Sequence, residues 1–340
     1  MRVSTVGLDL AKDVFQVHGV SDDGTVVFNR AIRRAKLLEF FAALPPCLVG
    51  MEACGSAHHW GRELGRLGHD VRLMPAFYVK PYVKRGKTDA VDAAAICEAV
   101  ARPTMRFVAI KTPEQQAILG LHRTRDLVVR QRTQVINMLR GLLREFGHVF
   151  PKGPEAALRF AKAHLGGTHP ANTPEFANSL IATLCDQLLA LHDRIKFYAQ
   201  LIETHSKKDE CAWRLRSIPG VGPVTASAIA ATIGDGTQFK SGREFAAWLG
   251  LTPLNRSSGG KERLGKITKK GDSYIRRLLV IGMTSRLKRA RQDPDTLDPW
   301  ARRLLERKPA RLATVAMANK TARIIWAVLT RGTDYRRAAA

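Results

Sequence analysis

Four acidic residues, Asp9, Glu52, Asp89 and Asp92, have the side-chain type and the spacing to hold metal ions in a strongly basic chain. The formal net charge is +25, which suits the chain to binding polyanions such as nucleic acid. Carboxylates among so many cations either pair with them or hold metal ions against a bound phosphate. The alternative is that each acid is a solvated charge or a helix cap, and Thr88 or Asp89 would cap a helix naturally.

The secondary structure expected around these four acids brings them together. Apolar patterns predict strands at 3–9, 13–20, 25–30, 47–51 and 69–74, and helices at 33–44, 57–67, 76–85 and 89–101. Asp9 closes the first strand and Glu52 follows the fourth, so both emerge at one sheet edge if these strands are neighbours. Asp89 and Asp92 share a helix face. This order predicts a mixed α/β domain with a sheet covered by helices.

Converging carboxylates of this kind can coordinate two Mg²⁺ ions, which clamp the attacking and leaving oxygens of a phosphodiester. Magnesium prefers oxygen ligands, and the sequence has no Cys-x-x-Cys pair or clustered His to suggest zinc. The five cysteines are odd in number, which argues against a disulfide framework and indicates a reducing cytoplasm. We expect no signal segment and no membrane span, because no run of about 18 apolar residues occurs.

The rest of the chain is predicted to be helical. Long helices are expected at 113–146 and 175–206, with a loop at 147–173 between them. Such a pair can pack as a coiled hairpin or against a partner subunit, and two helices of a folded bundle are an equal alternative. From about residue 211 the pattern predicts only helices, at 241–250, 273–291 and 310–330, with one long polar loop at 257–271.

Several segments are candidates for nucleic-acid contact. Lys84, Arg85 and Lys87 precede Asp89 and can guide a phosphate backbone, or form a solvated helix face. The segment 218–222 is typical of a helix-hairpin-helix turn, in which Gly220 and Gly222 leave backbone N–H groups for a phosphate; an ordinary turn is the alternative. Residues 257–340 hold 21 basic and 7 acidic side chains, a net of +14.

The loop around residues 255–261 allows two interpretations. It lacks the spacing of a Walker A motif and is typical of a flexible turn. It could instead present a nucleophilic serine among small neighbours. Basic side chains near it could neutralise an attacked phosphate. The candidate contacts on this loop and just after it are Lys261, Arg263, Lys266, Lys269 and Lys270.

The ordered motifs resemble a known family over nearly the whole chain. They are Gly7-Leu8-Asp9, Met51-Glu52-Ala53, Lys87-Thr88-Asp89-Ala90-Val91-Asp92-Ala93, Ile218-Pro219-Gly220-Val221-Gly222, and Gly250-Leu251-Thr252-Pro253 followed by Ser257-Ser258-Gly259-Gly260-Lys261. The set resembles the DEDD transposases of bacterial insertion sequences, a group that includes Piv-type DNA invertases. The resemblance implies an RNase H-like, RuvC-like domain at 1–112, a coiled-coil region at 113–210 and a mainly α-helical transposase domain at 211–340.

The resemblance also implies roles for residues. Asp9, Glu52, Asp89 and Asp92 would bind Mg²⁺, and Ser258, next to Ser257, would be the recombination nucleophile. The active site would form between subunits of a homo-oligomer, a tetramer or dimer of dimers, acting in the bacterial cytoplasm at the nucleoid. Its partners would be donor and target DNA and a structured guide (bridge) RNA encoded by the element, with base pairing choosing the sequence.

We therefore expect a recombinase that moves its own insertion element. Two other classes stay open. A RuvC-like resolvase would use water as its nucleophile and would not need Ser258. A non-catalytic DNA- or RNA-binding protein would need neither the serine nor Mg²⁺.

Overall fold

The chain folds into two compact units, Met1–Pro113 and Glu114–Ala340. The structure is a computed structural model that describes residues 2–84, 86, 88–256 and 263–336.

The first unit is built on a five-stranded mixed sheet in the order β3-β2-β1-β4-β5. Its strands are β1 (Thr5–Asp9), β2 (Val14–Val20), β3 (Val26–Arg33), β4 (Leu48–Glu52) and β5 (Asp70–Met74). Its helices are α1 (Leu37–Ala42), α2 (Ala57–Arg66), α3 (Ala76–Val79) and α4 (Asp89–Val100). The three strands β1, β2 and β3 pair antiparallel, whereas β4 pairs parallel with both β1 and β5. The predicted mixed α/β sheet is confirmed.

Helices cover both faces of this sheet. On one face Leu8, Phe15 and Met51 pack with α1 and α2 through buried side chains such as Phe41 and Leu64. The opposite face is covered by α4, which contacts β1, β2 and β4. Burial on both faces explains why β1 and β4 are nearly continuous apolar runs.

Two predicted helices of this unit are shorter than expected. The segment 33–44 forms a 3₁₀ turn at Arg34–Lys36 before α1, and 76–85 forms α3 followed by a 3₁₀ turn at Lys80–Tyr82. Pro81 lies in that second turn, and its ring and missing N–H prevent an α-helix from continuing through it.

The second unit begins with three helices, α5 (Pro113–Glu145), α6 (Pro154–Leu165) and α7 (Glu175–Lys208). Their common core contains Leu139 from α5, Ala161 from α6 and Leu188 from α7. The prediction of a loop over 147–173 was wrong. Pro154 occupies the first turn of α6, and the chain turns away after its last residue at Gly166 and Gly167. The proline and the glycines therefore mark the start and the end of a helix, although in the sequence they resemble a loop.

The remainder contains a helical core and a two-stranded hairpin. Its elements are α8 (Glu210–Leu215), α9 (Pro223–Ile233), α10 (Gly242–Trp248), β6 (Pro253–Asn255), β7 (Leu264–Ile267), α11 (Ser273–Ala290), α12 (Pro299–Arg307) and α13 (Ala310–Arg331). The prediction of helices alone was therefore wrong at β6 and β7. These strands have three and four residues and are mostly exposed, so no periodicity marks them. The short helix α12 was also not predicted.

Helix α13 is a core helix of this unit. Among the described residues it is the helix whose length and composition would allow it to cross a membrane. Half of its apolar 18-residue stretch is buried inside the unit, where Met317, Ile325 and Val328 belong to the core. Its apolar character is therefore accounted for by packing.

Candidate functional site

Asp9 and Glu52 lie at the carboxyl ends of two adjacent parallel strands. The register of β1 and β4 pairs Gly7 with Gly50 and Leu8 with Met51, and each acid is the next residue on its strand. Since side chains alternate along a strand, Asp9 lies on the same face as Gly7, and Glu52 on the same face as Gly50. The predicted neighbourhood of these two strands is confirmed, and both acids emerge at one edge of the sheet.

The two glycines allow α4 to lie directly on this face. A Cβ atom at Gly7 would overlap the Ala93 carbonyl oxygen, and one at Gly50 would come within 2.7 Å of Val100 Cβ. This close approach sets the position of the whole helix, including its first turn. Neither glycine was assigned a role from the sequence, although Gly7 and Gly50 each lie two residues before their acid in the same Gly-x-acid pattern. Glycine inside a strand is a known signal of close backbone approach.

The first turn of α4 carries Asp89 and Asp92. The helix cap is Thr88, whose Oγ1 accepts a hydrogen bond from the Val91 backbone N–H at 3.3 Å. Asp89 is therefore not needed as the cap, and its exposed carboxylate is free for another role. Asp92 is half-buried.

The four acids, here called the acidic quartet, interact electrostatically. Burial raises the pKa of Asp9, and the negative charges of Asp92 and Asp89 raise it further, partly offset by a hydrogen bond from the Leu10 backbone. Burial also raises the pKa of Glu52, followed by repulsion from Asp9 and Asp92. Folding thus concentrates negative charge in a partly desolvated place.

The quartet suits a divalent cation by its donor chemistry. All four ligands would be carboxylate oxygens, the donors that Mg²⁺ prefers. A cation would relieve the repulsion that raises the pKa of Asp9 and Glu52. Within the described part of the chain, no three His, Cys, Asp or Glu side chains already stand in a coordination shell. The side chains would therefore have to adjust when an ion binds.

The basic residues before α4 are only partly described. Lys84 is exposed. Burial of His18 on β2 lowers the pKa of that histidine, and the positive charge of Lys84 lowers it further. His18 is paired with Gly7 across the ladder and so faces α4. Lys84 therefore lies within electrostatic reach of the sheet face that carries the quartet. Arg85 and Lys87 lie outside the described residues.

The segment 218–222 joins α8 to α9, as predicted. Gly220 has φ +88°, and its carbonyl oxygen lies against Gly282 of α11 so closely that a Cβ there would overlap it. Gly222 is the N-cap of α9, and among the described residues nothing lies within 4 Å of the place a Cβ would take. The turn therefore packs against α11 at Gly220, and the space beside Gly222 is open.

The predicted serine loop is flanked in the sequence by β6 and β7. These strands pair antiparallel, and the Arg256 N–H donates to the Arg263 carbonyl at 2.9 Å. Ser257, Ser258 and Lys261 follow β6 in the sequence and lie outside the described residues. The basic side chains after them are exposed; they are Arg263, Lys266, Lys269 and Lys270.

Comparison with known proteins matches both halves of the chain to transposases. A family model described as "Transposase IS116/IS110/IS902 family" matches residues 212–300, and a transposase model of the DEDD IS110 type matches residues 6–148. The chain is 49% identical to a "Probable family 20 transposase" of Pseudomonas aeruginosa over 99% of both proteins.

Two further relatives are transposases of named insertion elements. The chain is 38% identical to the transposase for insertion sequence element IS1328 of Yersinia enterocolitica, over 98% of this chain and 99% of the relative. It is 39% identical to the transposase for IS1111A of Coxiella burnetii, over 98% and 92%. With this similarity along its whole length, the chain belongs to the IS110/IS116 family of DEDD transposases, which are DNA-cleaving enzymes.

Proposed function

We propose that this transposase cuts and rejoins DNA with a serine nucleophile and with Mg²⁺ held by the acidic quartet. The observation that carries the proposal is the electrostatic clustering of Asp9, Glu52, Asp89 and Asp92 at one sheet edge of a strongly basic chain. Burial and neighbouring carboxylates raise the pKa of Asp9 and of Glu52, and carboxyl groups perturbed in this way are typical of functional sites.

The quartet unit is proposed to be an RNase H-like, RuvC-like domain at residues 1–112. Its antiparallel β1–β3 extended by parallel β4 and β5 supports this, together with α4 across the sheet. We propose a long-helix region at 113–210, supported by α5 to α7, and a transposase domain at 211–340.

The nucleophile is proposed to be Ser258. Its Oγ would form a bond to the phosphorus as the bond from phosphorus to the leaving deoxyribose oxygen breaks. The serine hydroxyl loses its proton and the leaving oxygen takes one up, so the product is a phosphoserine ester and a free DNA hydroxyl. Bound Mg²⁺ would supply charge neutralisation on the phosphate and leaving oxygen. Arg263 and Lys266, exposed after the loop, would hold the DNA backbone.

The partners are proposed to be donor and target DNA, a structured guide RNA and further copies of the chain in a tetramer. The net charge of +25 supports polyanion binding in general, and such binding weakens as salt is raised. Gly220 and Gly222 of the α8–α9 turn, with Lys84, Arg85, Lys87, Lys261, Lys269 and Lys270, are the proposed backbone contacts. Five unpaired cysteines agree with a cytoplasmic location.

The proposal is tested by incubating the protein and its co-purified RNA with labelled donor and target DNA, with and without Mg²⁺. A denaturing gel should show a protein–DNA adduct that requires Mg²⁺ and is lost in Ser258→Ala. Asp92→Asn should slow adduct formation on the order of a thousandfold, the equivalent of several kcal/mol of transition-state stabilisation.

Two matched variants sharpen this experiment. Ser257→Ala should keep the adduct, and Glu39→Gln, an exposed acid on α1, should leave the rate unchanged. Cleaved DNA without an adduct in any variant would favour the resolvase that uses water. Mg²⁺-independent binding with no cleavage would contradict both enzymes.

A further inference from the structure

A second site lies on the helical part of the second unit, in a half-open cavity of about 690 Å³ that we call the Trp300 cavity. Its walls come from the α8–α9 turn, α11, the start of α12, α13 and the residues after α13. This volume falls within the range of about 300–1,000 Å³ found for small-ligand pockets. Nothing in the proposed chemistry above uses it.

The lining of the cavity is strongly cationic. Five basic side chains contribute to it: Arg286, Arg302, Arg303, Lys320 and Arg336. The acidic residue among the lining residues is Asp298, which caps α12 by accepting from the Ala301 N–H at 3.1 Å and from Lys320 Nζ at 3.2 Å. Asp298 is thus paired with Lys320, and Arg302 pairs with Asp295 at 2.9 Å, so the positive charge that an anion would meet comes mainly from Arg303 and Arg336.

The same cavity also offers flat apolar surface. Trp300 is half-buried, with Lys320 Nζ at 4.2 Å from its ring centroid, and Tyr335 lines the wall as well. A small inorganic anion would leave the aromatic rings uncovered, and a neutral apolar ligand would cover the Arg303 guanidinium without supplying a counter-charge. A ligand that is both anionic and aromatic satisfies both sets of residues.

The cavity adjoins two segments that are proposed to contact nucleic acid. Ile218 and Pro219 of the α8–α9 turn line it. On its other side Trp300, Lys320 and Ile324 also line a second cavity of about 720 Å³, which reaches Pro253 of β6 and Ile267 of β7. The Trp300 cavity thus lies between the turn proposed to hold a phosphate and the hairpin that leads to Ser258.

We propose that the Trp300 cavity binds an unpaired nucleotide of a nucleic-acid strand, with its base on Trp300 or Tyr335 and its phosphate on Arg303 and Arg336. Base stacking on aromatic side chains tolerates any base, and a cationic groove tracks the backbone. The inference rests on the proposed function for the presence of nucleic acid, and it adds that the enzyme holds one nucleotide out of its helix beside the hairpin.

The test compares two variants that each remove one arginine, of which only one lines the cavity. Arg303 and Arg307 are both exposed on α12, one turn apart, and among them Arg303 lines the cavity. We expect Arg303→Ala to weaken binding of short single-stranded oligonucleotides at least about threefold more than Arg307→Ala does. Trp300→Leu should weaken it roughly fivefold to a hundredfold, the range for loss of one base stack. Affinity for fully paired duplex should change much less.

A readout independent of folding accompanies these measurements. Oligonucleotides carrying 5-iodouracil, as DNA in one arm and RNA in the other, should photo-crosslink to Trp300 or Tyr335 of the wild-type protein, as located by mass spectrometry. Cross-links confined to other residues, or equal effects of Arg303→Ala and Arg307→Ala, would overturn the proposal. The arm that cross-links more efficiently identifies the source of the nucleotide.

The outcomes separate this inference from the proposed function. A Mg²⁺-dependent serine adduct with no cross-link in the cavity removes the inference alone. A cross-link at Trp300 without any adduct keeps the nucleotide site and removes the serine chemistry.

Discussion

At the scale of single residues, Asp9 and Glu52 carry an electrostatic cost. Each is partly desolvated next to other carboxylates, and both effects raise its pKa. Such an arrangement destabilises the ionised, metal-free protein, which is the usual consequence of arranging a site for function. It also means that nearby groups sense whether the carboxylates are neutralised.

Cys54, two residues after Glu52, is such a group. Burial raises the pKa of its thiol, and the charges of Glu52 and Asp9 raise it further. If Mg²⁺ binds the quartet, the thiol pKa should fall, and alkylation of Cys54 at pH 8 should accelerate severalfold because the thiolate is the reactive form. Peptide mass spectrometry after timed alkylation measures this, with half-buried Cys211 as the internal reference.

Glu52→Gln is the control for this prediction. Its Cys54 should react faster than that of the wild type before Mg²⁺ is added and should respond less to the ion. Equal acceleration of Cys54 and Cys211 by Mg²⁺ would show that the ion acts elsewhere.

At the scale of elements, the site depends on how closely α4 approaches β1 and β4. Gly7 and Gly50 are opposite each other in the ladder. Because neither has a side chain, the helix packs directly on the strand backbones at this point. In the same way, Thr88 caps α4 and leaves Asp89 available. The quartet is thus positioned by residues that carry no charge.

Gly7→Ala should separate α4 from the sheet. The added Cβ would overlap the Ala93 carbonyl, so we expect a loss of about 1–3 kcal/mol in the free energy of unfolding. Because Asp89 and Asp92 are displaced with the helix, away from Asp9 and Glu52, adduct formation should fall at least about a hundredfold. Thermal unfolding and the adduct assay measure the two effects.

Gly65→Ala is the matched control, since Gly65 is an exposed helical glycine with open space around its Cβ position. It should leave activity unchanged and should not destabilise the protein. Equal activity of Gly7→Ala and Gly65→Ala would show that the distance between α4 and the sheet does not matter for catalysis.

At the scale of the whole molecule, a buried polar network connects four helices of the second unit. His122 of α5 contacts the Tyr274 hydroxyl of α11 at 3.1 Å and Ser227 Oγ of α9 at 2.9 Å. Ser227 is also 3.0 Å from His205 Nδ1 of α7. Burial, followed by the charges of Arg125 and His205, lowers the pKa of His122 to about 4. The network therefore holds a neutral histidine in the core.

This histidine makes stability depend on pH. The unfolded chain binds a proton at His122 below about pH 6.5, whereas the folded chain does so only below about pH 4. The neutral His122 makes its full contribution to the free energy of unfolding above about pH 6.5. This contribution falls by roughly 3 kcal/mol in all as the pH drops towards 4. Denaturant unfolding followed by tryptophan fluorescence should show it, since four of the five tryptophans, Trp213, Trp248, Trp300 and Trp326, lie in this unit.

His122→Phe should remove this part of the pH dependence while lowering stability at pH 7.5, because Ser227 and Tyr274 lose a partner. The exposed His59→Gln should keep the wild-type dependence. A His122→Phe curve parallel to that of the wild type between pH 6.5 and 4.5 would contradict the assignment.

Much of the fold around the quartet could be predicted from the sequence. The strands ending at Asp9 and Glu52 and the helix starting at Asp89 follow from local apolar periodicity and a Thr88 cap, which depend on residues a few positions apart. The segments that were predicted wrongly, α6 and the β6–β7 hairpin, have local signals that are ambiguous or absent. The roles of the quartet and of Ser258 stay predictions.

The sequence by itself determined the charge of the chain, the acids at the strand ends and the family motifs, because these are properties of composition and short-range order. Only the tertiary structure decided that β1 lies beside β4, that Gly7 and Gly50 admit α4, and that Ile218, Trp300 and Lys320 surround one cavity. These contacts join residues tens of positions apart. They are selected by the packing of whole elements against one another, which no local pattern records.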